Sequence, residues 1–257
     1  MQYVEFVHHK ETLMCNACII CGSGKIAVRK FTELKKTYDL VCCATCQVRY
    51  HWPIPNNTVL SEYYASFIPA ETKDAEKAIQ TNHTINVRDK KFDYNYNMTA
   101  SVRRENPAGR ILEVGCFTGL FLTYFDQKKY SCVGLDLNNT LLSYGKKHYK
   151  LDLRYGTIFD FKFRDSEFGL IIFHQLLEHL NNPIEFFTEV KRILKPSGYI
   201  TLSVPHVLTH FKIVYPAHVF HFSISAINIL LDRFSFSKEK IECRTGMSIM
   251  ATGKLIK

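Results

Sequence analysis

The sequence predicts an α/β protein, an open parallel sheet with helices on both faces, preceded by a small cysteine-built module. Three observations predict it. Short apolar stretches at 111–114, 132–136, 153–155, 170–173 and 199–204 alternate with helical patterns near 119–127, 139–149 and 184–194. Such alternation implies right-handed crossovers and a parallel sheet. Gly115 and Gly119 bracket a short loop directly after the first of these strands, and six of the nine cysteines crowd positions 15–46 in paired spacing.

Residues 1–14 read as an extended lead-in without legible chemistry. Cys15, Cys18 and Cys21 follow, with Gly22 and Gly24 behind them, and Cys42, Cys43 and Cys46 come after a connection of about 20 residues. Cys-x-x-Cys twice at that separation is the pattern of a four-thiolate zinc ribbon. Cys18 and Cys21 lead into Gly22, as a tight knuckle needs, and Cys43 and Cys46 supply the x-x spacing of the second cluster. That set leaves Cys15 and Cys42 spare; a set using Cys15, and a disulfide or buried-thiol pattern, stay open. So short a segment buries little apolar surface, so bound Zn2+ would supply its folding energy. The module is placed at 1–57.

Residues 58–105 are polar and rich in Asn, Tyr and Lys, with helical patches at Val59–Phe67 and Thr72–Gln80. Phe92–Met98 does not pattern as a strand. We read this stretch as a helical lid or linker, and 106–257 as the main domain. There Glu113 ends the first strand, Gly115 lets backbone approach a polar ligand, and Gly119 allows tight helix–strand contact. By itself Gly-x-x-x-Gly marks only a turn. Asp136 adds weight, because an acid ending the second strand accepts hydrogen bonds from both hydroxyls of a ribose. Ser225–Phe234 reads as a helix and 241–255 as two closing antiparallel strands.

Glu113, Gly115, Phe117 and Gly119, then Asp136, Phe159-Asp160, Phe168–Leu180 and Val190–Gly198 follow one another as in a known family. Residues 111–204 resemble the core of the class I S-adenosylmethionine-dependent methyltransferases, with Phe117 replacing the family's middle glycine. The resemblance implies a Rossmann-like sheet. It also implies that S-adenosylmethionine rests its amino-acid end on Gly115, Cys116, Phe117 and Gly119, its ribose on Asp136, and its adenine near Leu137 and Asp160. His174, Glu178 and His179 then surround the end of the fourth strand, facing the methyl group, and 58–105 closes over the cofactor. Cys18-x-x-Cys21, Tyr38–Cys46, Trp52–Pro55 and Glu62–Tyr64 look like the opening of a bacterial group that includes enzymes of nucleotide-linked sugars and surface polysaccharides. Tyr215-Pro-Ala-His218 matches the Tyr-x-x-His that related sugar C-methyltransferases use near the acceptor. By that match His218 is a general base with Tyr215 beside it, and His179 is the other candidate. Those relatives carry a further C-terminal domain, so the expected acceptor atom is oxygen or nitrogen.

No apolar run is long enough to cross a bilayer, and the first ten residues lack the basic-then-apolar order of a secretion signal. The expected compartment is the cytoplasm, where paired thiols favour metal over disulfides. The formal charge is +9; four thiolates on one zinc ion lower it to roughly +7. A positive field assists an anionic substrate without specifying nucleic acid. Three readings compete: a small-molecule methyltransferase, an RNA or protein methyltransferase gripping its substrate through the zinc ribbon, and a binding protein that keeps only the fold. No aromatic-and-basic stripe of the kind that grips single strands is present, which favours a small molecule, anionic ones included, as partner.

Overall fold

The computed structural model describes residues 16–33, 36–67, 77, 79–81, 93–105, 109–125, 127–207, 216–244 and 248–256. The large sheet contains β4 (Gly109–Val114), β5 (Tyr130–Asp136), β6 (Asp152–Tyr155), β7 (Phe168–His174) and β8 (Leu194–Pro205), closed by β10 (Phe236–Arg244) and β11 (Ser248–Leu255). Its order is β10-β11-β8-β7-β4-β5-β6. The strands from β6 to β8 run parallel, and β11 joins β8 and β10 antiparallel. Strand order therefore reverses between β4 and β7, and a crevice opens above their carboxyl ends.

Alternation along the strands builds two cores. Leu112 and Val114 of β4 and Ile171 and Phe173 of β7 face one apolar cluster, whereas Ile111, Leu170 and Ile172 face the other. α5 (Pro183–Ile193) and α6 (Ile224–Arg233) cover the first face. α5 starts on Asn182, whose side chain accepts from the Glu185 amide, and Phe186, Phe187, Val190 and Ile193 form its buried stripe. The second face is covered by α3 (Ala100–Glu105) and α4 (Asn139–Tyr149), through Val102 and Leu142. Helices thus lie on both faces of a mixed Rossmann-like sheet, as predicted.

The expected helix at 119–127 is not formed. Gly119 adopts a left-handed backbone, φ +75°, and only a four-residue 3-10 turn follows, Phe121–Tyr124. The Gln127 side-chain amide donates to the carbonyls of Leu122 and Phe125 at 3.1 and 2.9 Å, which ends the turn. A Cβ on Gly119 would stand 2.9 Å from Leu153 Cδ2. The aromatic spacing that reads as a helical face instead folds Phe121 and Phe125 edge-to-face into the second core.

β1 (Ile26–Glu33), β2 (Lys36–Cys43) and β3 (Arg49–His51) make a second, antiparallel sheet. Its fourth strand is β9 (Phe220–His221), contributed by the chain beyond β8. Cys18, Ile20, Val41 and Tyr50 join the same buried cluster as Phe187 and Phe220. Ser223 caps α6 by accepting from the Ala226 amide, while its hydroxyl donates to the Cys46 carbonyl at 2.5 Å. The cysteine module is therefore packed onto the large domain through α6 and β9. In the chain between module and large domain come α1 (Asn57–Phe67) and α2 (Asp93–Met98), the latter a helix where no strand pattern exists. Most of the expected 72–80 helix lies outside the described residues.

Candidate functional site

Three residues of the loop after β4 have positive φ: Gly115 at 74°, Phe117 at 56° and Gly119 at 75°. Phe117 takes a left-handed backbone that suits glycine better, at a cost of about 1–2 kcal/mol for a side-chain-bearing residue. Asp136 offsets it. Its Oδ2 accepts from the Phe117 amide at 2.8 Å and its Oδ1 from the Asn138 amide at 2.9 Å. Each oxygen retains a second lone pair, so the carboxylate that shapes the loop can still accept from a ligand. Burial pushes the Asp136 pKa up while these amides pull it down. Cys116 contributes backbone: its amide donates to the Leu135 carbonyl at 2.9 Å and its thiol is buried in the second core.

Glu113, at the end of β4, is buried and its Oε2 has no hydrogen-bond partner among the described residues. Burial, reinforced by the charge of Asp136, raises its pKa well above the carboxylate range. An orphaned buried carboxyl beside a glycine loop is the chemistry an α-amino cation completes. Phe117, Leu137 and Phe159 expose about half of their surface, 49%, 45% and 51%. The last two flank the crevice from the ends of β5 and β6, where an aromatic base would stack. Asp160 stands at that edge, but its Oδ2 accepts from the Thr157 amide and hydroxyl at 2.6 and 2.7 Å, which lowers its pKa. Only its other oxygen remains to meet an adenine amino group.

At the end of β7, His174 is held by burial at a pKa of about 3, hence neutral. Its Nδ1 takes the Asn95 side-chain amide of α2 at 3.2 Å, and its ring lies 5.2 Å from Phe121. The Asn95 Nδ2–H donor fixes the proton on Nε2, which has no hydrogen-bond partner among the described residues. Asn95 connects the preceding helical segment to the crevice, a role that no pattern in 58–105 signals.

Leu177, Glu178 and His179 form a 3-10 turn just beyond β7. Glu178 is 1% exposed and burial pushes its pKa up to about 8. The His179 Nδ1–H donates to the Ala217 carbonyl at 2.9 Å, and burial lowers the His179 pKa. His218 lies edge-on to it, ring centroids 4.9 Å apart, and His221 of β9 follows at 6.3 Å. The structure thus brings the two sequence-predicted histidines together beside Glu178 and adds His221. Tyr215 lies outside the described residues.

The cysteine cluster is equally definite. The sulfurs of Cys18, Cys21, Cys43 and Cys46 all lie within 4.8 Å of one another, with Cys18–Cys46 and Cys21–Cys43 at 3.6 Å. A zinc ion with 2.3 Å bonds to tetrahedral thiolates sets its sulfurs about 3.8 Å apart. The four fit such an ion, and the Cys46 amide points at Cys43 Sγ. Cys42 stands outside the cluster, against the Leu40 carbonyl, and Cys15 lies outside the described residues.

Residues 112–202 match a family described as methyltransferase domain. That stretch holds the loop, Asp136 and the Leu-Glu-His turn. Over that stretch the chain is similar to S-adenosylmethionine-dependent methyltransferase domains. An uncharacterized protein of Methanocaldococcus jannaschii, MJ1123, is 32% identical over 121 residues, 45% of this chain and 56% of its own. The ubiquinone biosynthesis O-methyltransferase of Dechloromonas aromatica is 30% identical over 100 residues, 37% of this chain and 43% of its own. The matches thus span about half the length of these curated relatives. Among solved structures, the S-adenosylmethionine-dependent methyltransferase of Mesorhizobium loti superposes with a TM-score of 0.50 at 15% identity, covering 60% of this chain and 95% of its own. That likeness concerns the fold. Among the described residues no helix is long and apolar enough to cross a membrane.

Proposed function

We propose that the protein transfers a methyl group from S-adenosylmethionine to an oxygen or nitrogen atom of a small polar acceptor, a sugar-linked or phosphorylated metabolite. One observation carries the reading: the crevice between β4 and β7 presents an orphaned buried Glu113 and a loop-anchoring Asp136 on one side, and His179 with His218 beyond β7. When bound, the cofactor supplies an activated sulfonium methyl group. Glu113 and the loop amides would hold its amino-acid end, Asp136 its ribose, and Leu137, Phe159 and Asp160 its adenine.

Aligning donor and acceptor in line then provides most of the acceleration. The acceptor's proton must also leave as the bond forms, and the His179–His218 pair is placed to draw it off. Burial keeps His179 neutral, and the Ala217 carbonyl fixes the proton on Nδ1, so that Nε2 carries the lone pair. Tyr215 belongs to this acceptor side by sequence. An oxygen acceptor accords with the Dechloromonas relative's name. The cysteine cluster, with one Zn2+, would hold β9 and hence His218 in place, since the module packs into the common core. That integration supports a structural role for the zinc over substrate recognition. A cytoplasmic setting suits the reduced thiols.

The test is methyl transfer from labelled S-adenosylmethionine to a panel of sugar nucleotides, phosphorylated amines, simple phenols and total RNA. Label in one small-molecule class is the expected result. Label confined to RNA, or to added protein, would defeat the small-acceptor reading.

A further inference from the structure

The Leu-Glu-His turn carries one feature that cofactor binding leaves unused. Glu178 is a carboxylic side chain with 1% exposure, and its Oε2 has no hydrogen-bond partner among the described residues. Its Oε1 lies 3.9 Å from His179 Nε2. One ligand atom each from Glu178, His179 and His218 falls within 4.8 Å of the others. We propose that Glu178, His179 and His218 bind a divalent transition-metal cation on the acceptor side of the methyltransferase site. The proposal rests on the acceptor lying at this histidine pair.

The donor set is two imidazoles and one carboxylate on one side of the ion, which leaves coordination positions open for a substrate. Ligands about 2.1 Å from one ion and on the same side of it stand about 3.0–3.4 Å apart. The 3.9 Å Glu178–His179 pair reaches that by closing about 0.5–0.9 Å. The 4.8 Å bound on the cluster asks for at most about 1.8 Å of closure, within reach of a side-chain rotation. A second observation points the same way. Ligating histidines almost always donate their other ring N–H to a carbonyl or carboxylate, which fixes the tautomer. His179 does so through Nδ1 to Ala217 O at 2.9 Å, which turns the Nε2 lone pair toward Glu178. The neighbour His221 is buried behind His218 and backs that ring without belonging to the set.

Such an ion would bind the acceptor oxygen and lower the pKa of its hydroxyl. The hydroxyl proton passes to solvent, an oxygen lone pair forms the new carbon–oxygen bond, and the methyl–sulfur bond breaks with its electrons left on sulfur. His218 is then a ligand, and the direct proton transfer expected from the Tyr-x-x-His pattern is replaced. Acceptors with two adjacent oxygens, a diol or a hydroxyl beside a phosphate, suit the open positions.

The experiment is a Co2+ titration of the full chain with its cysteine cluster loaded with zinc, followed by visible absorption. Ligand-field bands should saturate at one cobalt per chain without thiolate charge-transfer bands. Glu178→Gln and His218→Gln should each weaken binding at least about tenfold, with zinc content and far-ultraviolet circular dichroism unchanged. No saturable cobalt binding, or binding that survives in both variants, overturns the proposal. Cobalt binding with no methylated product in the acceptor panel would uphold the ion and reject the acceptor reading. Methyl transfer that persists in a protein shown to bind no cobalt would reject the ion and return His218 to the role of base.

Discussion

Removing the Asp136 carboxylate should disable cofactor binding twice over. In Asp136→Ala the two ribose hydroxyls lose their charged acceptors, each worth about 1.5–3 kcal/mol. Together that is about 3–6 kcal/mol, or about two to four orders of magnitude in Kd. The Phe117 amide also loses the acceptor at 2.8 Å that holds this residue at φ 56°. The loop is then released from a conformation costing about 1–2 kcal/mol, which adds a preorganisation loss to the contact loss. Asp136→Asn, which keeps one acceptor oxygen, should fall between parent and alanine variant. Isothermal calorimetry with S-adenosylmethionine and S-adenosylhomocysteine measures the three affinities, with thermal unfolding as the folding control. An Asp136→Ala protein that folds and binds within about threefold of the parent would refute both halves of the reasoning.

Other outcomes follow from the same geometry. Glu113→Gln should stabilise the ligand-free protein while weakening S-adenosylmethionine: a carboxyl whose folded pKa is raised costs stability as pH rises above its unfolded value. Denaturant midpoints at pH 7 check the first effect and calorimetry the second. Cys43→Ser should abolish zinc and, through β3 and β9, loosen the segment bearing His218, whereas Cys42→Ser should keep one zinc per chain; metal analysis distinguishes them. Buried His174 has a folded pKa of about 3 against an ordinary 6.5, so it binds fewer protons folded than unfolded. Its contribution is full above pH 6.5 and is lost as pH falls toward 3, about 2 kcal/mol of it between pH 7 and pH 5. His174→Gln should flatten the fall in denaturant midpoint over that window by this amount, and an unchanged slope would contradict the assignment.

The parallel sheet was legible because each strand is an apolar run and each long helix carries its own cap and stripe, as Asn138 and Asn182 show. The 3-10 turn was not, because its aromatic spacing imitates a helix and only the packing of Leu153 against Gly119 decides otherwise. The doubled Cys-x-x-Cys identified its four thiols, since local spacing fixes a knuckle. Two contacts escaped. β9 is a two-residue strand whose partner β3 stands 170 residues earlier, at Tyr50 against Phe220, and no local period encodes it. Glu178 read as part of a resemblance, but its orphaned buried oxygen gains its setting only once His218 folds beside it.

The central claim is that the crevice between β4 and β7 is a working S-adenosylmethionine site. Equilibrium titration of the unmodified protein with the cofactor tests it most directly. The account predicts one saturable site per chain, displaced competitively by S-adenosylhomocysteine. No saturable binding by a folded, zinc-loaded protein would contradict it.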